Sequence, residues 1–321
     1  VSTVNTVDTP ADVPAAAAAL RDSAGEARAG GTDVMARLRE GAVGGPFVDL
    51  HRLSGLRGVE WCPDGSARIG ALTTVAEVAA DERVRTAYPA LAQTAAAVAT
   101  PQIRAVGTLG GNLLQRNRCP YFRSAAFDCL QKGGDTCPAR EGDHLHGTVV
   151  DQGARCVAPH PSSLAMALMA YDAVSVEVEG AAPRAVADLY DGTDSTRDHV
   201  LEGGSLLTAV VMPPPAEGES AAYRRATSRS RGEWPLVEAV ARVVRTGGTV
   251  TAAAVAAGAV ARTPIRLPEV ESALVGTAGS AQDAATAVAG VPALCSPLPQ
   301  TGYKATLLRD TVLDVLERAL A

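Results

Sequence analysis

The chain has 321 residues, a formal net charge of −6, 47% hydrophobic residues, 20% charged residues and only 3% aromatics. That length supports a sizeable core and two domains. The acidic balance, the lack of a long Lys/Arg run and the scarcity of stacking rings exclude a nucleic-acid or anionic-membrane footprint.

Residues 1–14 lack the basic start and apolar run of a secretory leader. The alanine stretches at 15–19 and 252–261 are too short and too weakly apolar to span a membrane. Six cysteines in a large acidic chain do not read as a secreted disulfide scaffold. A cytoplasmic location, with thiols free to act as ligands, is expected.

In chain order, Pro10-Ala11-Asp12 opens a predicted helix over 11–24. The turn Ala29-Gly30-Gly31-Thr32-Asp33 leads into a helix over 34–39. Short strands are predicted at 47–50 and 67–71. Thr74, with Glu77 three positions on, forms a capping box. An alanine-rich helix over 90–99 is expected to end at Pro101. A second glycine turn follows, Thr108-Leu109-Gly110-Gly111-Asn112.

Residues 116–157 differ from the rest. They hold four cysteines, several Arg, Gly and Asp residues, and little periodicity. A structureless loop this long is normally functional. A helix over 163–171 and a strand over 174–178 resume the pattern. Pro213-Pro214-Pro215 marks a domain boundary, giving domains 1–215 and 216–321. Beyond it lie an apolar stretch at 235–245, a hairpin turn at Gly247-Gly248, a strand over 250–255 and a terminal helix over 305–320.

Consecutive glycines let a backbone approach a ligand closely, and successive amides can cradle a phosphate. Each glycine turn alone reads equally as a tight strand-to-helix connection. Neither is a Gly-x-Gly-x-x-Gly or Walker motif. Two such turns together could grip a pyrophosphate from both sides, as in a dinucleotide such as FAD.

The cysteines Cys119, Cys129, Cys137 and Cys156 are spaced Cys-x9-Cys-x7-Cys-x18-Cys. Zinc ribbons favour short Cys-x2–4-Cys pairs, which are absent from this block. Four spread thiolates suit a cubane cluster, and a zinc site or buried free thiols stay open at this point. Arg116, Arg118, Arg123 and Lys132 would offset a cluster's negative charge. Cys62 and Cys295 read as core thiols, His144 and His146 as residues that order the loop, and Arg262 and Arg266 as solvated or interface arginines. No hydrolase constellation can be assembled.

The segments 28–35, 69–74, 101–113, 263–268 and 303–307 resemble the FAD-binding medium subunit of the xanthine dehydrogenase and molybdenum hydroxylase family. The cysteine block, with Arg118-Cys119-Pro120-Tyr121-Phe122-Arg123 and His160-Pro161-Ser162, resembles the branch that carries an extra [4Fe–4S] cluster in its flavin subunit. The resemblance implies an α+β protein: a vanillyl-alcohol-oxidase-type (PCMH-type) FAD domain, with the cluster loop inserted at 116–157, then a small α+β C-terminal domain. It implies that Arg28, Ala29, Gly30, Gly31, Thr32, Asp33, Val34 and Met35 hold the FAD pyrophosphate from one side. Thr108, Gly110, Gly111 and Asn112 would hold it from the other. Leu114, Thr100 and Ile103 would approach the flavin ring, and Arg224 would stand where relatives have a lysine. The four cysteines would ligate the cluster.

One departure stands out. Where the family has His-Pro-Ser-Asp-Leu, this chain has His160-Pro161-Ser162-Ser163-Leu164, so Ser163 replaces an aspartate expected at the flavin. Ala105 also stands where an asparagine is common.

By resemblance the chain is an electron-transfer subunit. A large molybdopterin-binding partner would oxidise an aldehyde or N-heterocycle. A small [2Fe–2S] partner would pass the electrons to the FAD here, for delivery to an external acceptor. The alternatives are a free-standing FAD-dependent oxidase or dehydrogenase, and a non-enzymatic zinc-binding module.

Overall fold

The computed structural model describes residues 6–41, 43–230 and 232–321. The leader-free reading of residues 1–14 and the start of the first domain fall in part on residues 1–5, outside the described residues.

Three sheets organise the described chain. The first is a parallel three-stranded sheet with Phe47–Asp49 between Val7–Asp8 and Glu26–Arg28. The helix Val13–Ser23 packs on it. Asp12 caps that helix by accepting the Ala15 N–H at 2.8 Å. Ala16, Ala17 and Leu20, spaced three and four apart, bury against Val48, Leu50 and Leu53.

The second sheet has five antiparallel strands in the order Val59–Trp61, Ala67–Gly70, Leu207–Met212, Ser175–Val178 and Arg184–Ala185. The helices Val75–Ala80, Pro89–Ala97, Leu109–Leu113 and Ser163–Met169 share its core. Thr74 and Glu77 form the expected capping box. Pro101 acts differently from expectation. The preceding helix already ends at Ala97, and Pro101 opens a new helix, Pro101–Val106, with Thr100 as its N-cap. A proline costs nothing at a first helical position, where its missing N–H would have no partner.

Pro213-Pro214-Pro215 carries the chain into the third sheet, ordered Ile265–Arg266, Thr249–Gly258, Val237–Thr246 and Glu219–Ala226. Gly247 and Gly248 make its hairpin turn with φ of +59° and +81°, the left-handed geometry a two-residue turn requires. Val237, Ala239, Ala241 and Val243 face the helix Tyr303–Leu320, which buries Leu308, Val312, Val315 and Leu316 against them. Each such side chain contributes about 1.5–3 kcal/mol. Tyr223, Val240, Ala254 and Ala256 face the other way and join the core of the five-stranded sheet. Both faces of the third sheet are therefore buried, and this welds the two halves together.

Residues 116–157 contain only one-turn helices: Pro120–Arg123, Leu130–Lys132 and Pro138–Arg140. No helix among the described residues is long and apolar enough to cross a membrane.

Candidate cofactor sites

The strand Glu26–Arg28 runs directly into the first glycine turn. Gly30 lies so close to the next segment that a Cβ there would sit 1.8 Å from the Val106 carbonyl oxygen. Gly31 has φ +72°, a conformation that glycine adopts without strain. Among the described residues, the amides of Gly30, Gly31, Thr32 and Asp33 donate to no protein acceptor. Four successive free N–H groups form a nest suited to an anion.

The second glycine turn is itself helical, as the helix Leu109–Leu113, with the Thr108 hydroxyl accepting the Gly111 N–H at 3.1 Å. Gly110 is pressed against Ala71, where a Cβ would meet another Cβ at 2.9 Å. Both turns wall one cavity of about 120 Å³. Ala29, Gly30, Gly31, Thr32, Asp33 and Val34 lie on one side; Thr108, Gly110, Gly111 and Leu114 lie on the other. The donor set and the glycine cradle fit a phosphate-bearing cofactor.

The remaining predicted residues are placed as follows. Met35 lies beside Gly31, and Arg28 pairs with the buried Asp49. Asn112 does not face the cavity; its side-chain oxygen accepts the Ser162 hydroxyl at 2.7 Å. Thr100 caps the helix on which Ile103 is 43% exposed, and neither lines the cavity. Ser163 is buried beside the fully buried Glu238, which accepts the Tyr223 hydroxyl at 2.8 Å. Burial raises the Glu238 carboxyl above its ordinary pKa. Arg224 is exposed and pairs with Asp314 at 3.1 Å. Its neighbour Arg225 is the one that reaches the first half of the chain, donating to the Ala97 carbonyl; its other terminal nitrogen donates to the nearby Glu233 carbonyl.

Asp33 ends the first glycine turn and gathers three arginines. Arg118 Nη1 and Arg123 Nη2 each lie 2.7 Å from its Oδ1, and Arg37 Nε lies 2.9 Å from its Oδ2. Burial alone would raise the Asp33 carboxyl, but Arg118, Arg37 and Arg123 outweigh it and hold it below the ordinary range. Burial lowers Arg118 to about 10. Arg118 also stacks 4.6 Å from the Trp234 ring centroid. The two help wall an apolar cavity of about 360 Å³ between the cysteine loop and the third sheet.

Cys119, Cys129, Cys137 and Cys156 line one common cavity of about 10 Å³. Cys119, Cys129 and Cys137 each precede a one-turn helix. Burial raises the Cys119 thiol, while the amides of Phe122 and Tyr121 favour its thiolate. Hydrogen bonding between Cys137 and Cys156 lowers the Cys137 thiol and raises that of Cys156. Among the described residues, no three His, Cys, Asp or Glu side chains form a group able to hold a single metal ion. Four thiols on one cavity, three of them at helical turns, nevertheless match the donor set of a cubane. The space of about 10 Å³ that they line would have to widen to seat one.

Some residues around this loop escape sequence reasoning. Asp198 is fully buried and accepts from Arg116 Nε at 2.9 Å, Arg262 Nη2 at 3.2 Å and the Asn117 amide at 2.9 Å. Burial would raise its carboxyl, but Arg262 and Arg116 hold it far below the ordinary range. Arg262 is therefore a buried ion-pair partner, not a solvated arginine. Cys62, read as a core thiol, is exposed. His144 orders the loop as expected: its Nδ1 lies 2.9 Å from the carbonyls of Ala139 and Gly142, and Nε2 accepts the Gln300 amide.

Residues 4–215 match the FAD binding domain in molybdopterin dehydrogenase, and residues 221–321 match the CO dehydrogenase flavoprotein C-terminal domain. The chain is 34% identical to the aldehyde oxidoreductase FAD-binding subunit of Escherichia coli K12, over 99% of this chain and 98% of that one. It is 28% identical to the carbon monoxide dehydrogenase medium chain of Afipia carboxidovorans, over 78% and 72% of the two chains. The fold superposes on a chain of reconstituted CO dehydrogenase from Oligotropha carboxidovorans with a TM-score of 0.75, at 24% identity, covering 100% and 99%. These relatives are flavoprotein subunits of oxidoreductases, and the α+β architecture is theirs. The chain belongs to the FAD-binding medium-subunit family of the xanthine dehydrogenase and CO dehydrogenase type of molybdenum hydroxylases.

Proposed function

We propose that this chain is the FAD- and [4Fe–4S]-bearing electron-transfer subunit of a multi-subunit molybdenum hydroxylase that oxidises an aldehyde or N-heterocycle. Its partners are a large molybdopterin-binding subunit and a small [2Fe–2S] subunit, and it serves an external electron acceptor. The aldehyde oxidoreductase subunit, similar over nearly the whole chain, supports the aldehyde assignment. Free thiols at all six cysteines are compatible with a cytoplasmic location. We take 1–215 as the FAD domain, with the cluster loop at 116–157, and 216–321 as the C-terminal domain.

The observation that carries this reading is the pairing of two glycine turns on one anion-suited cavity with four thiols on a second. Residues 28–35 would hold the pyrophosphate through the free amides, and Thr108, Gly110 and Gly111 would close the opposite wall. Leu114, Thr100 and Ile103 would flank the ring. Asn112 would brace the second turn through Ser162. Arg225 is better placed than Arg224 to carry positive charge toward the first domain. Ser163, with Glu238 behind it, would take the place of the missing aspartate. Cys119, Cys129, Cys137 and Cys156 would ligate the cluster. Bound FAD supplies the exchange between two-electron and one-electron chemistry; the protein supplies positioning and charge.

Stopped-flow absorbance separates this reading from a free-standing oxidase. The flavin should bleach on addition of an aldehyde or N-heterocycle only when the partner subunits are present. Rapid bleaching of the isolated chain by such a substrate would contradict it.

A further inference from the structure

Gln131 lies two residues past Cys129, in the turn Leu130–Lys132. Its side-chain oxygen accepts two hydrogen bonds, from Arg116 Nη2 at 2.9 Å and Asn117 Nδ2 at 2.7 Å. Both groups can only donate toward it. A flipped amide would set N–H against N–H on that side, so the orientation is fixed. Nε2 must point the other way, and there it meets two acceptors: Asp198 Oδ1 at 2.9 Å and Cys156 Sγ at 3.8 Å. Asp198 cannot drift, because Arg116, Arg262 and the Asn117 amide hold it in a fully buried position. One amide hydrogen is thus satisfied by the carboxylate, and the second is directed at sulfur.

We propose that Gln131 tunes the redox potential of the iron–sulfur cluster through an N–H···S hydrogen bond to Cys156, with Asn117, Arg116 and Asp198 as its positioning residues. This rests on the reading of the four cysteines as cluster ligands. Reduction adds negative charge to a cluster, and a donor at a ligand sulfur stabilises that charge, so the bond raises the potential. The same network joins the cluster loop to Arg262 beside the third sheet. The donor is therefore held by the tertiary fold and not by its own loop alone.

The test is a potentiometric titration of the anaerobically purified protein followed by EPR, comparing wild type with Gln131→Met, which keeps the length and removes the donor. Full iron and FAD content, a cluster midpoint shifted to more negative potential and unmoved flavin midpoints are expected. An unshifted cluster midpoint in a variant with full iron overturns the proposal and leaves the cluster reading standing. If the variant loses its iron, the wild-type protein decides. Isotopic labelling of glutamine side-chain nitrogen should produce a nitrogen coupling to the reduced cluster in pulsed EPR, and its absence overturns the proposal. Wild-type protein without iron would overturn the cluster reading itself, and this inference with it.

Discussion

Arg118 Nη1 lies 2.7 Å from Asp33 Oδ1, and through this contact the cysteine loop touches the end of the first glycine turn. Arg118 precedes Cys119 directly, and Arg123, which shares the same oxygen, closes the turn that Cys119 opens. A carboxylate at the rim of one cavity thus anchors the loop that forms the other. The two sites are mechanically joined as well as close in sequence.

Replacing Asp33 with asparagine should therefore loosen both elements. It strips Arg118 of its carboxylate partner and leaves Arg37 and Arg123 with Glu26 and Glu40 alone as counter-charges. Breaking a buried pair in this way costs about 3 kcal/mol or more. Thermal unfolding should show a Tm lower by on the order of 6 °C, with faster proteolysis inside 116–157. An unchanged Tm would mean the arginines find other partners.

Gly30→Ala tests the glycine cradle. The added Cβ would meet the Val106 carbonyl oxygen at 1.8 Å, and backbone must move to admit it. The cost should be about 1–3 kcal/mol, as for overpacking elsewhere, and FAD content should fall sharply. Gly41→Ala is a fair contrast for crowding, because nothing lies within 4 Å of a Cβ there, although its φ of +71° still carries strain. Flavin absorbance after desalting reads both variants, and Gly41→Ala should keep its FAD.

Cys129→Ser should lower the iron content without removing FAD. Cys129 lines the thiol cavity and not the glycine-turn cavity. Unchanged iron would show that the ligand set is wrong.

Lys304 gives a pH signature. Its ammonium is buried, with the carbonyls of Ala259 at 2.9 Å and His146 at 3.2 Å as partners, and burial lowers its pKa to about 7 from 10.5. Between those values the unfolded chain binds more protons than the folded one, so this group makes stability rise with pH. Below about 7 the fold carries the full cost of the buried charge. Burial raises the Tyr171 hydroxyl, which acts oppositely at higher pH, so the comparison belongs between pH 7 and 9. Lys304→Met should flatten the rise in Tm over that window; an unaltered slope would contradict it.

The legible features are local: the two glycine pairs and the capping box are each written within a few residues. What stayed hidden depends on packing between distant segments. Nothing near Arg262 reveals that Asp198 will bury against it, and nothing near Gln131 reveals the carboxylate and sulfur its amide meets. The choice between Arg224 and Arg225 turned on which face of Glu219–Ala226 looks inward, which single-strand alternation leaves open when both faces are partly buried. The Ser163 departure is visible in the sequence, but its buried neighbour Glu238 comes from the third sheet. Pro101 opens a helix where a stop is expected, because a proline that ends one helix and one that begins the next look alike in sequence.

The most direct measurement is anaerobic purification of the protein with iron, acid-labile sulfide and flavin quantified per chain, together with an absorption spectrum. About four irons, matching sulfide and about one FAD are expected, the iron count following from a cubane held by four cysteines. A colourless preparation containing zinc, with neither iron nor flavin, would contradict that expectation.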